Sequence, residues 1–171
     1  MKKIIQLLLF VFAFGIISAQ DFEVSTLRIG PYKIFMEKTD AEKLAGTKLK
    51  MTDGQTKNSV KYNGELILID LYEGYVSEAK PSVPTIMNIS TTSKKFKTKS
   101  GIGIGSTKDD IINAYKDYPS FSVNPAWDDK GVKLKNAGYF TLNDSDAGTA
   151  LSFKFVNNIV VEITVYLDEG C

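Results

Sequence analysis

The chain lacks histidine altogether and has a single cysteine, Cys171, at the end of its 171 residues. Without histidine it cannot form the Ser-His-Asp or Cys-His arrangements of nucleophilic catalysis, and it lacks the commonest zinc ligand. One cysteine closes no internal disulfide and builds no cysteine-rich metal site. We therefore expect a non-enzymatic protein with no metal site and no cofactor. A hydrolase that uses Tyr, Lys, Ser or carboxylates is the less favoured alternative.

The sequence also lacks an excess of charge of either sign, with 21 Lys and Arg against 20 Asp and Glu. A formal charge of +1 gives no overall field that could hold a nucleic acid. A short basic patch at Lys94–Lys99 surrounds Phe96. Such a patch is typical of a solvated face or of an edge strand that lysine protects from aggregation. We therefore predict no nucleic-acid partner.

A signal peptide is predicted at residues 1–19. Two lysines follow Met1, residues 4–17 are apolar apart from two positions, and Ala19 precedes the expected cut. The apolar run is short for a bilayer span, and no cysteine near the cut could carry a lipid. We expect export to the periplasm or secretion, with no stable membrane anchor after cleavage. An uncleaved amino-terminal anchor is the alternative. Cleavage removes the two lysines and changes the formal charge to −1.

Alternating apolar residues predict a single, mostly antiparallel domain at residues 20–171. The predicted strands are 60–62, 65–72, 85–92, 132–135, 139–142, 151–156 and 159–167. Asn63-Gly64 and Asn157-Asn158 suit tight hairpin turns, because Asn and Gly tolerate positive φ. Within the strand at 65–72, residues 66–71 are apolar except at Asp70, which predicts a central strand covered on both sides. The last four strands are predicted to form a meander.

Two short helices are predicted, at residues 39–45 and 107–116. Thr39 or Asp40 is expected to cap the first helix. Thr107, or the serine before it, is expected to cap the second helix, whose first turn carries carboxylates. Helices are therefore few, and the predicted class is α+β with short helices packed on one face of a mostly antiparallel sheet.

Residues 34–44 and 102–112 align without a gap, which places Thr39 opposite Thr107. Each segment contains an apolar strand end, a turn and a capped helix, and further strands follow. The alignment indicates an internal duplication of one strand–helix–sheet unit, with chance agreement as the alternative. The predicted pseudo-repeat halves are 27–80 and 85–168.

The second of these segments carries a resemblance to a known fold group. Residues 98–115 contain the turn Gly101-Ile102-Gly103-Ile104-Gly105 before a capped helix. This pattern resembles the beta-lactamase inhibitor proteins and the small outer-membrane assembly lipoproteins, in which helices pack on one face of an antiparallel sheet. The chain has Lys116-Asp117 where that group usually places Gly, and it lacks the lipidated cysteine of the lipoproteins. The resemblance implies a fold and an exported location, and it transfers no binding site.

Aromatic residues are abundant in the sequence, with eight Tyr, ten Phe and one Trp. Tyr and Trp on a rigid sheet are typical anchors of protein interfaces, whereas partly buried tyrosines with hydrated hydroxyls are the alternative. The candidate interface residues are Tyr72, Tyr75, Trp127, Tyr139 and Tyr166. The leading hypothesis is an exported protein-binding or scaffold module with an unknown protein partner. The alternative is a carrier of a small ligand or envelope glycan in a pocket between sheet and helices.

The single cysteine gives a simple test. We expect Cys171 to be an unpaired residue at a frayed tail, so the protein should migrate as a monomer on gels with and without reductant. A band of twice the monomer mass that disappears on reduction would instead show that Cys171 links two chains.

Overall fold

The structure is a computed structural model that describes residues 22–52, 57–73 and 82–168. The predicted signal peptide and Cys171 lie outside these ranges. The described residues form two helices, α1 (Lys38–Ala45) and α2 (Lys108–Tyr115). Their strands are β1 (Glu23–Val24), β2 (Arg28–Ile29), β3 (Tyr32–Lys33), β4 (Asn58–Tyr62), β5 (Glu65–Glu73), β6 (Pro84–Thr91), β7 (Lys97–Thr98), β8 (Phe121–Trp127), β9 (Lys133–Asp144), β10 (Thr149–Val156) and β11 (Ile159–Leu167).

Two sheets contain the strands. The large sheet has the order β4-β5-β6-β11-β10-β9-β8 and is antiparallel throughout. The small sheet has the order β3-β2-β1-β7, in which β1 and β7 run parallel. Within the described ranges, neither helix has the length and apolar character needed to cross a membrane. The predicted α+β class with mostly antiparallel sheets is confirmed.

Two turns rich in asparagine close the hairpins that the sequence predicts. The φ angles are 48° at Asn63 and 85° at Gly64, and 51° at Asn157 and 65° at Asn158. Positive φ at both central residues is the geometry of a type I′ turn, whose twist matches that of the flanking strands. The hairpins β4–β5 and β10–β11 are therefore confirmed.

The start of the carboxy-terminal meander differs from the prediction. The predicted strands 132–135 and 139–142 are wrong as separate elements, because both belong to β9. The strand that pairs with β9 at the sheet edge is β8, in which Ser122, Asn124 and Pro125 interrupt the apolar pattern. Proline is tolerated there because an edge strand has no second neighbour and the register shifts next to it. The meander therefore runs β8-β9-β10-β11.

The predicted cap of α2 is confirmed. Thr107 Oγ1 accepts a hydrogen bond from the Asp110 amide at 3.1 Å, and the Thr107 amide donates to Asp110 Oδ2 at 2.8 Å. These two bonds make a capping box, which satisfies two amides that the helix itself leaves without partners. The local sequence is therefore enough to start this helix.

The predicted cap of α1 is wrong. The N-cap is Glu37, whose side chain makes no capping bond, so neither Thr39 nor Asp40 has that role. Glu37 instead forms an isolated antiparallel bridge with Thr85 of β6. A contact distant in sequence therefore fixes where α1 begins. Gly46, with φ of 64°, ends the helix in the left-handed conformation that glycine favours.

Matching turns precede the two helices. Phe35 and Gly105 have positive φ, 67° and 93°, shortly before α1 and α2. The N-cap residues Glu37 and Thr107 each form an isolated bridge with a strand of the large sheet. These matched positions put Glu37 opposite Thr107, so the predicted alignment of Thr39 with Thr107 is out of register and wrong.

One set of alternating residues of the large sheet lies in the hydrophobic core. The same core cluster contains Ala41 of α1, Ile111 of α2 and Ile29 of the small sheet. The fully buried sheet residues of this cluster are Ile67, Ile69, Leu71, Ile86, Ile89, Phe140, Phe153, Ile163 and Val165. Because successive side chains of a strand point to opposite faces, the residues between them lie on the other face of the sheet.

The capping box predicts an effect on stability. We expect Thr107→Ala to lower the free energy of unfolding by about 1 kcal/mol, because it removes the oxygen that accepts from the Asp110 amide. Urea unfolding followed by circular dichroism measures this loss. Thr39→Ala is the matched control, since Thr39 is exposed inside α1 and alanine favours helix interiors. Equal losses for the two variants would contradict a cap at Thr107.

The same box predicts a pH dependence. The hydrogen bond from the Thr107 backbone, followed by that of its side chain, lowers the pKa of Asp110 below its usual 3.8. The folded state thus has the lower pKa, so this stabilisation is present above pH 3.8 and is lost as the pH falls through the folded-state value. We expect the difference in unfolding free energy between the wild type and Asp110→Asn to shrink below pH 3.8, because Thr107→Ala would keep the backbone amide that donates to the carboxylate, whereas Asp110→Asn removes the charge that this amide stabilises. A constant difference would contradict this.

Candidate functional site

The residues that alternate with the core residues form a second face of the large sheet, here called the polar face. Its residues on β5, β6, β11, β10 and β9 are Leu68, Asp70, Tyr72, Thr85, Asn88, Ser90, Tyr139, Thr141, Asn143, Ala150, Ser152, Lys154, Glu162, Thr164 and Tyr166. Leu66 lies on the same side of β5 and is 45% exposed. The prediction that β5 is covered on both sides is therefore wrong, since its core residues lie on one side.

A row of hydroxyl side chains crosses the middle of the polar face and is called the hydroxyl row below. The register places Ser90, Thr164, Ser152, Thr141 and Ser122 next to one another on five adjacent strands. Thr141 Oγ1 donates to Ser152 Oγ at 3.2 Å. Three of these five residues, Ser90, Thr141 and Ser152, are buried, so the row places uncharged hydroxyls in a line across the sheet but exposes few of them to solvent.

Three of the predicted interface residues lie on the polar face, on two sides of the hydroxyl row. Tyr166 is opposite Asn88 on one side of the row, and Tyr139 is opposite Lys154 on the other. Tyr72 lies near the end of β5 and is 39% exposed. The strand register therefore brings these tyrosines to one surface, although they are distant in sequence.

The other two predicted residues are not part of this group. Tyr75 lies outside the described residues. Trp127 is 59% exposed at the end of the edge strand β8, where it is opposite Lys133 and beyond a register shift. The structure thus places Trp127 at a hairpin on the sheet edge, apart from the rows that hold the tyrosines.

Tyr166 is half-buried within the polar face. Burial is the main cause that raises the pKa of Tyr166, and the Asp168 carboxylate raises it further. A side-chain hydrogen bond with Thr141 acts in the opposite direction and lowers this pKa. Because β10 lies between the two strands, the Tyr166 side chain reaches across it to Thr141. A raised pKa keeps the phenol protonated and uncharged at neutral pH.

A pocket of about 490 Å³ opens on the polar face beside Tyr166 and is called the Asp70 pocket. Its lining consists of Asp70, Tyr72, Glu73, Met87, Asn88, Tyr166 and Leu167. Asp70 is 95% buried, and its Oδ2 lies 3.3 Å from Lys57 Nζ. Two oxygens, Asp70 Oδ1 and Asn88 Oδ1, are buried and have no hydrogen-bond partner within residues 22–52, 57–73 and 82–168. Few buried polar atoms in proteins lack a partner, which makes this pair notable.

Sequence reasoning did not select Asp70 or Asn88 as site residues. The available signal was the single carboxylate in the otherwise apolar run 66–71. A charged side chain in a strand interior is costly unless it has a partner or a role. Asn88 gave no signal, because its place opposite Asp70 depends on how β5 and β6 pair.

A second, smaller space lies between the large sheet, α2 and the small sheet. This cleft has a volume of about 270 Å³, and its lining includes Val24, Thr98, Tyr115, Tyr118 and Leu142. Tyr115 Oη donates to Thr98 Oγ1 at 2.7 Å, so one ring is fixed across the cleft. Burial, followed by the charge of a nearby carboxylate, raises the pKa of Tyr118. The volume is below the usual range for small-molecule sites, about 300–1,000 Å³.

Comparisons of the chain with known protein families, curated proteins and solved structures give no match. The polar face and its pocket are therefore the features of the molecule that bear on its function.

Proposed function

We propose that this protein is an exported, non-enzymatic protein-binding or scaffold module that recognises its partner through the polar face. The observation that carries the proposal is the register that groups Tyr72, Tyr139 and Tyr166 around the hydroxyl row. Tyrosine combines a large apolar ring with a hydrogen-bonding hydroxyl and has few rotatable bonds, so it is a frequent anchor in protein interfaces. Export, to the periplasm or outside the cell, rests on the signal peptide at residues 1–19.

The chemistry of the polar face favours a protein partner. Interface cores contain few charged residues and much tyrosine, with hydrogen bonds and water between them. The hydroxyl row carries no charge, and the nearby Lys154 and Glu162 are opposite each other on β10 and β11. Because Ser90, Thr141 and Ser152 are buried in the free chain, a partner would contact mainly the larger side chains around the row, which include the predicted tyrosines.

The finer architecture is part of the same proposal. We propose that both helices of the described residues pack on the core side of the large sheet, so that neither of them covers the polar face. Ala41 and Ile111 support this, since both belong to the core cluster that contains Ile69 and Phe153.

The internal duplication is likewise proposed. α1 is followed by the hairpin β4–β5 and then by β6, which begins at the boundary of the predicted halves, and α2 is followed by the meander β8-β9-β10-β11; β6 and β11 pair with each other. This arrangement supports two related units, and it agrees with the resemblance of residues 98–115 to the beta-lactamase-inhibitor fold group.

The second candidate function is a carrier of a small ligand or envelope glycan. Its site would be the cleft between the large sheet and α2. The ring of Tyr115, the last residue of α2, already occupies this region: the ring centroids of Tyr115 and Phe153 are 6.1 Å apart. Together with the volume of about 270 Å³, this filling favours the protein-binding proposal over the carrier.

Affinity capture tests the proposal. The chain 20–171 is immobilised and exposed to an envelope extract of the source organism, and bound proteins are identified by mass spectrometry. We expect one specific partner, and we expect Tyr72→Ser and Tyr139→Ser each to weaken its binding about tenfold or more, as for an interface anchor. Leu44→Ser is the control, because Leu44 is 49% exposed on α1.

Two results would contradict the proposal. One is repeated failure to recover any specific partner. The other is a partner whose binding is unaffected by the two tyrosine variants and is lost in Trp127→Ser, which would place the interface at the β8–β9 hairpin.

A further inference from the structure

We infer that the Asp70 pocket receives the guanidinium group of an arginine side chain carried by the protein partner. This inference rests on the proposed protein-binding function and adds the chemistry that the partner must present. It depends on three features of the pocket: acceptor atoms without donors, two aromatic walls, and an excess of negative charge.

Two of the lining residues, Asp70 and Asn88, carry acceptors that lack donors among the described residues. They are directly opposite on β5 and β6, and the Oδ1 atom of each is buried. Lys57 contacts the other carboxylate oxygen, Asp70 Oδ2, at 3.3 Å. The lysine therefore satisfies half of the carboxylate, and the free half together with the amide oxygen requires at least two N–H or O–H donors.

The walls of the pocket suit a flat cation. Tyr72 and Tyr166 line it together with Met87. An aromatic ring attracts a cation over its face, and guanidinium stacks on such rings more readily than an ammonium group does. A planar group between tyrosines could thus bond to Asp70 and Asn88 through its edge while its faces remain against apolar atoms.

The charge of the pocket selects against anions. Asp70 and Glu73 both line the pocket, and none of its described lining residues carries a positive charge. Lys57 contacts Asp70 from outside this lining. These carboxylates attract a cation into the pocket, whereas they would repel a phosphate or carboxylate group.

Guanidinium fits these features better than a primary ammonium. Its five N–H groups lie in one plane and can donate to two separate acceptors at once, and it is more weakly hydrated. An ammonium group is a compact charge with a strong hydration shell, which it would have to lose inside the pocket.

Nuclear magnetic resonance titration of the ¹⁵N-labelled chain 20–171 tests the pocket directly. The probes are methylguanidinium, its neutral isostere methylurea, and methylammonium. We expect saturable shifts of the Asp70, Asn88 and Tyr166 amides with methylguanidinium, and weaker or no binding of the other two. Absence of saturable shifts, or equal binding of methylurea, would overturn the inference. Equal binding of methylammonium would overturn the assignment to arginine.

Variants identify the groups involved. Asp70→Asn keeps the shape of the side chain and removes its charge. We therefore expect methylguanidinium to bind this variant at least about tenfold more weakly than the wild type. Glu162→Gln is the matched control, because Glu162 is a carboxylate of the polar face outside the pocket lining. Tyr72→Leu should weaken binding without altering the two acceptors, and it provides a second test should Asp70→Asn unfold. Unchanged binding in both Asp70→Asn and Tyr72→Leu would overturn the inference.

The capture experiment separates this inference from the proposed function. If the wild-type chain captures a partner, Asp70→Asn should capture less of it, and methylguanidinium should compete with it. Equal capture by Asp70→Asn would overturn the inference and leave the proposed function standing. If methylguanidinium binds but no partner is found, the proposed function fails, and the assignment of the guanidinium to a partner arginine fails with it.

Discussion

The pairing of β6 with β11 is the contact on which the rest of the structure depends. It joins the meander of the first half to that of the second, and its register sets Ile89 beside Val165 in the core. The same register sets Ser90 beside Thr164 and Tyr166 beside Asn88 on the polar face. A slip of one residue would move every core side chain of β11 to the polar face, so burial of Val165 also fixes the position of Tyr166.

A bulge between β5 and β6 adjusts this arrangement at the Asp70 pocket. Asp70 is opposite Asn88, yet the next residue, Leu71, is opposite Ile86, so Met87 is the extra residue of β6. Ile86 and Ile89 are three residues apart and both fully buried, which strict alternation would not allow. The bulge resolves this conflict and leaves Met87 beside the pocket. The same β-bulge therefore allows both Ile86 and Ile89 to be buried in the core and sets the position of Met87 at the pocket.

The elements that the sequence predicts correctly are those with local causes. The Asn63-Gly64 turn and the Thr107 cap depend on residues within a few positions of one another, and both are found. The sequence predictions are wrong where contacts distant in sequence determine the local structure. The bridge from Glu37 to β6 sets the start of α1. Pairing with β9 makes β8 a strand although it contains Pro125. The site follows the same rule. Tyrosines can be selected by type, whereas the pairing of Asp70 with Asn88 arises only from the bulged register.

The two unpartnered oxygens link the stability of the free chain to recognition. A buried acceptor without a donor destabilises a folded protein by about 1–3 kcal/mol, and Asp70 Oδ1 and Asn88 Oδ1 are both of this kind. An apolar pair at these positions would avoid that cost, since β5 is otherwise rich in leucine and isoleucine. A partner that donates a hydrogen bond to both oxygens would satisfy them, and the free energy gained would add to its affinity. A partner without donors would leave both oxygens unsatisfied and would bind more weakly. Under the proposed function, the same two atoms would weaken the free fold and discriminate between partners.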